Sequence, residues 1–137
     1  MAQYANYSTY GKTSLKKSTL LEINSENKET ILKDTEKPIV CIYMTADWCA
    51  PCKIVSPLFE KLEQELSNRK YNNVKCNLVK ENVDLMLTDT VSSIPAFYFY
   101  KDGNLIHKIV AKNKEEPEQL IQNVKNTLNT CISNYNN

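Results

Sequence analysis

Apolar residues fall into two patterns along this chain, and their alternation predicts the order of elements. Ile39-Val40-Cys41-Ile42-Tyr43-Met44 is an unbroken apolar run of strand length, which predicts a strand buried on both faces. Ile54, Val55, Leu58, Phe59, Leu62 and Leu66 then recur at spacings of three and four, which predicts an amphipathic helix from Cys49 to about Asn68. Pro57 interrupts that pattern and predicts a kink. Val74 to Val79 reads as a further strand and Glu81 to Thr90 as a short helix.

Ala96-Phe97-Tyr98-Phe99-Tyr100 is strongly strand-prone. Asp102-Gly103 after it signals a tight hairpin, with Leu105 to Val110 as the returning strand. Glu115 to about Cys131 carries Leu120, Ile121, Val124 and Leu128 in helical register. Upstream, Leu20 to Ile23 is a short strand candidate, and Ser25 to Asp34 reads as a helix with Ser25 as its N-cap. The order β-α-β-α-β-α-β-β-α predicts an α/β fold: a central mixed β-sheet flanked by helices on both faces.

The domain is expected over residues 19–132. A polar N-terminal tail (1–18) bearing Tyr4, Tyr7 and Tyr10 precedes it, and a short C-terminal tail (133–137) follows. The first tail reads as flexible, with a docking or modification segment as the alternative. The 137 residues suit one modest core. Seventeen basic against sixteen acidic residues leave a net charge of +1, giving no reason to propose nucleic acid as a partner. No apolar stretch reaches the roughly 20 residues of a membrane span, and residues 1–17 do not resemble a signal peptide. Five cysteines, an odd number, then argue for a reducing compartment, and the cytoplasm is expected.

The chemistry concentrates at Trp48-Cys49-Ala50-Pro51-Cys52-Lys53, between the apolar strand and the long helix. A cysteine at a helix start faces unpaired backbone amides and the positive end of the helix dipole, which favour thiolate. Cys49 is therefore the expected nucleophile. Cys52, one turn deeper, suits release of a mixed disulfide. Pro51 lies where its missing N–H costs nothing, and Trp48 offers a flat surface to shield the sulfur. Half of a zinc site is the competing reading, but there is no second such pair and His107 is the single histidine. The Trp and Pro flanks argue against an incidental pair.

Ser92-Ser93-Ile94-Pro95 stands just before the aromatic strand. Such a proline is either an edge marker or the site of a cis peptide. Cys41 and Cys76 read as small buried hydrophobes, Cys131 as partly exposed, and His107 as a strand surface residue.

Taken together, Ala46-Asp47-Trp48-Cys49-Ala50-Pro51-Cys52-Lys53, Pro57, Ile94-Pro95 and Lys101-Asp102-Gly103 resemble the thioredoxin family in order and spacing. The resemblance covers about residues 19 to 132. It implies the thioredoxin fold, Cys49 as nucleophile, Cys52 as resolving thiol, and Pro95 as a cis-proline packed against both. It further implies that the Ile94 backbone pairs with substrate, and that the loop at Val110-Ala111-Lys112 forms the third wall of the groove. The implied activity is reduction of disulfide-containing protein substrates by a monomer. No bound cofactor is implied beyond the redox-active Cys49–Cys52 disulfide, with electrons from NADPH through a thioredoxin reductase.

Several positions depart from the family pattern. Ala50 and Ala111 stand where glycines are usual, and Ala96 where a threonine is usual. Tyr43 occupies the place of a buried aspartate, which makes it and the neighbouring Asp47 candidate modulators of the resolving step. The lysine that accompanies that aspartate is expected at Lys75 or Cys76. A disulfide oxidant or isomerase, and a binding or scaffold module on the same fold, are the alternative functions.

Overall fold

The structure is a computed structural model that describes residues 20–67, 76–83 and 93–136. The N-terminal tail, Val74, Lys75 and most of the helix expected over 81–90 lie outside the described residues. Among the described residues eight elements run in chain order: β1 (Leu21–Ile23), α1 (Lys28–Leu32), β2 (Ile39–Thr45), α2 (Ala50–Ser67), β3 (Cys76–Asn82), β4 (Ala96–Lys101), β5 (Asn104–Val110) and α3 (Pro117–Asn136).

The strands form one five-stranded sheet ordered β1-β3-β2-β4-β5 among the described residues. β3 is parallel to both β1 and β2, and β4 is antiparallel to both β2 and β5, so the sheet is mixed as expected.

β2 sits at the centre, and its alternation divides the core. Ile39, Cys41 and Tyr43 face α2 and α3, where they meet Val55, Phe59, Leu62, Val124 and Leu128. Val40, Ile42 and Met44 face the other side, where Ile31 and Leu32 of α1 pack. Helices thus cover both faces. Tyr43, Phe59 and Phe97 form an aromatic cluster with ring centroids 5.1–5.4 Å apart. Each such fully buried side chain contributes roughly 1.5–3 kcal/mol by removal from water.

The β4–β5 turn follows its sequence signal. Asp102 and Gly103 have φ of 52° and 85°, the pair of left-handed residues that a two-residue hairpin requires. The Asp102 N–H donates to the Pro38 carbonyl at 2.9 Å, which ties the turn to the start of β2.

Three expectations change. α1 starts at Lys28, later than Ser25, because the Asn24 side chain accepts the N–H groups of Glu26 and Asn27 and holds the intervening residues in a turn. Glu81 and Asn82 belong to β3, paired with Met44 and Thr45, and do not open a helix. Cys131 lies within α3 and is buried, 9 % exposed, because it continues the stripe of Leu120, Val124 and Leu128.

Candidate active site

β2 ends pointing at the amino end of α2, and Ala46-Asp47-Trp48 makes the connection. The Cys49 N–H donates to the Ala46 carbonyl at 3.1 Å, closing that turn. Cys49 then stands immediately before Ala50, the first residue of α2. The Cys52 N–H donates to the Cys49 sulfur at 3.2 Å. A capping side chain satisfies a first-turn amide in the same way, so the sulfur sits where orphan N–H groups stabilise negative charge.

Cys49 and Cys52 are joined in a disulfide, with Cα atoms 5.2 Å apart. Both are buried, Cys49 to 4 % exposure and Cys52 to 1 %, whereas Trp48 is 56 % exposed beside them. Pro57 lies inside α2, which continues through it to Ser67.

The Ile94–Pro95 peptide bond is cis. The Pro95 carbonyl accepts the Ala111 N–H at 3.0 Å, which fixes the loop after β5 beside it. A groove of about 550 Å³ results, lined by Ala50, Pro51 and Ile54 of α2, by Ile94 and Pro95, and by Ala111 to Glu115. Ile54, placed in the core stripe by its spacing, is instead 60 % exposed and belongs to this groove.

A second cavity, of about 430 Å³, opens on the other flank of Cys52. Tyr43, Asp47, Ser56, Glu60 and Lys80 line it. The Tyr43 hydroxyl donates to the Cys52 carbonyl at 3.0 Å and lies 2.9 Å from the Ser56 hydroxyl, which itself donates to that carbonyl at 2.8 Å. Burial pushes the Tyr43 phenol above its ordinary range, and the nearby Glu60 carboxylate pushes the same way, against the lowering effect of the Ser56 and Thr45 hydrogen bonds. Tyr43 is thus a neutral hydrogen-bonding group at neutral pH.

The register corrects one expectation. Tyr43 is opposite Lys80, on the same face of the neighbouring strand, whereas Cys76 is opposite Ile39. Lys80 is the lysine beside this position because β3 runs further toward the site than its apolar residues suggest. Ser56 was missed as well. Its signal was its place four residues after Cys52, one turn along the same helix line.

Cys41, Cys76 and Cys131 are buried in the core cluster to which α2 and α3 contribute, outside the Cys49–Cys52 disulfide. His107 is exposed on β5, with its ring 5.9 Å from that of Phe99. Among the described residues no group of three or more His, Cys, Asp and Glu is placed to hold a metal ion. None of the described helices is long and apolar enough to cross a membrane.

Comparison with known proteins fits this geometry. The family model described as Thioredoxin matches residues 19–126. The chain belongs to the thioredoxin family. It is 35% identical over 99 residues to Thioredoxin-T of Drosophila melanogaster, covering 72% of this chain and 62% of that one. It thus spans less than two thirds of that relative's length. Among solved structures, the thioredoxin of Schistosoma mansoni superposes with a TM-score of 0.60 at 27% identity, covering 82% of this chain and 95% of that one. Chlamydomonas reinhardtii thioredoxin f2 superposes with a TM-score of 0.61 at 20% identity, over 79% and 95% of the two chains, and speaks for the fold alone. Family membership and the paired cysteines together support thiol–disulfide chemistry at this site.

Proposed function

We propose that this thioredoxin-family protein reduces protein disulfides through Cys49 and Cys52. The observation that carries the reading is the Cys49–Cys52 disulfide at the amino end of α2, flanked by a groove for a target segment. In the dithiol form the Cys49 thiolate attacks a target disulfide. A mixed disulfide forms, and the departing target sulfur takes up a proton. Cys52 then loses its proton and attacks the Cys49 sulfur. The second target thiol leaves, and the pair ends oxidised by two electrons.

The groove residues act on the target's position. Trp48 and Pro51 flank the nucleophile, while Ile94 and Pro95 supply backbone and surface against which an extended segment aligns. Ala50 and Ala111 narrow the two walls by a methyl group each. Tyr43 and Asp47 modulate the resolving step from the second cavity, where Tyr43 holds the Cys52 backbone without serving as a base. A monomer is the proposed working unit.

No bound cofactor is needed, and a thioredoxin reductase drawing on NADPH is the proposed electron source. The cytoplasm is the proposed compartment, supported by the odd count of five cysteines.

Insulin reduction with dithiothreitol as electron donor tests the activity. The wild type should accelerate precipitation of the insulin B chain, and Cys49→Ser should abolish the acceleration. Activity that survives Cys49→Ser would contradict the assignment, and a wild type without activity would favour a binding module.

A further inference from the structure

We propose that Glu60 receives the proton that Cys52 gives up in the resolving step, relayed through water and the Ser56 and Tyr43 hydroxyls in the second cavity. This rests on the oxidoreductase reading above and adds a residue to the second half of that reaction. The step needs an acceptor. Cys52 must lose its thiol proton before its sulfur can attack Cys49, and Tyr43, a neutral phenol, does not take it.

The helix sets out the route. Cys52, Ser56 and Glu60 follow one another at intervals of four residues, so they lie along one line of α2. All three line the cavity of about 430 Å³, together with Tyr43. Such a space holds several water molecules, since each takes up about 30 Å³ in the liquid. The Ser56 and Tyr43 oxygens are 2.9 Å apart, and a hydroxyl can accept one proton while passing on another. The Glu60 carboxylate is near enough to act on the Tyr43 phenol electrostatically. Among the described residues it takes part in no ion pair, so its oxygens are left to accept.

The other acidic groups of this lining are placed less well. Glu22 is exposed on β1 and Asp47 is exposed in the connection before Trp48, whereas Glu60 is half-buried. The cations of the lining are Lys53, exposed on α2, and Lys80, half-buried on β3 opposite Tyr43. In the mixed disulfide of Cys49 with a target, the Cys52 proton passes along the relay to the Glu60 carboxylate. The Cys52 thiolate then bonds to the Cys49 sulfur. The bond from Cys49 to the target breaks, and the target sulfur leaves with the electron pair and takes a proton from solvent. Glu60 returns its proton to solvent, and no further oxidant or reductant is required.

Stopped-flow reaction of the reduced protein with dithiobis(nitrobenzoate) tests the proposal. One thionitrobenzoate is released when Cys49 attacks and a second when Cys52 resolves, so absorbance reads the two steps separately. Cys52→Ser, which stops after the first release, identifies the phases. At about pH 6.5, Glu60→Gln should slow the second phase about tenfold or more and leave the first unchanged. The gap should close by about pH 9, where an ordinary thiol ionises without help. Glu60→Asp should recover most of the lost rate. An unchanged second phase in Glu60→Gln, a loss shared by both phases, a gap that persists to about pH 9, or a Glu60→Asp protein as slow as Glu60→Gln would overturn the proposal while the activity stands. A wild type that never gives the second release would overturn the activity and the proposal together.

Discussion

The Tyr43 hydroxyl is hydrogen-bonded to the carbonyl of Cys52 at 3.0 Å, so a neutral phenol stands directly behind that cysteine. Together with Ser56 it offers two hydroxyl hydrogens for three contacts around that carbonyl. Shared donors of this kind hold the first turn of α2 in place.

Removal of the phenol oxygen tests that role. Tyr43→Phe should lower stability by about 1 kcal/mol, because Ser56 still donates to the Cys52 carbonyl and no buried acceptor is left bare. Urea unfolding at neutral pH measures it. A loss above roughly 3 kcal/mol would mean that the ring, and not the hydrogen bond, had been disturbed.

The same residue makes a pH prediction. The Tyr43 phenol is raised in the folded protein, so the unfolded chain ionises first as pH climbs past about 10. Its contribution to stability is full below that pH and is lost as pH rises through the folded value. Unfolding series at pH 8 and pH 10.5 should show a smaller alkaline loss for Tyr43→Phe than for the wild type.

Replacing Tyr43 with Asp should change the pH–rate profile of disulfide reduction, since a carboxylate at this depth can accept the Cys52 proton where the neutral phenol does not. The rate below neutral pH should rise severalfold relative to the wild type. Identical profiles would remove position 43 from the chemistry.

The three core thiols should be silent in the native protein. Burial raises Cys41 and Cys131 above the ordinary thiol range, and the neighbouring Cys76 and Cys131 raise Cys41 further. Iodoacetamide at neutral pH should label Cys49 first in the reduced protein. Cys41 and Cys131 should become labelled only on unfolding, as read by peptide mass spectrometry.

Much of the site was legible in the sequence because its parts are local. The cysteine spacing lies within one helical turn, and the Asp102-Gly103 hairpin needs two left-handed residues in a row. What sequence did not supply depends on register and packing. Lys80 stands opposite Tyr43 only because β3 continues through the polar residues Lys80-Glu81-Asn82, held there by pairing with β2. Ile54 fits the helical stripe by spacing, yet the helix meets the sheet along Cys52, Val55, Phe59 and Leu62 and turns Ile54 outward. The late start of α1 came from one asparagine side chain competing for backbone N–H groups.

The central claim is that Cys49 and Cys52 form a reducing dithiol couple. Its reduction potential, measured by equilibrium titration in a protein with Cys41, Cys76 and Cys131 changed to serine, tests that claim most directly. The account predicts a two-electron couple with a midpoint below about −230 mV, on the reducing side of glutaredoxins. A midpoint between about −120 and −180 mV, the range of oxidising and isomerising catalysts, would contradict it.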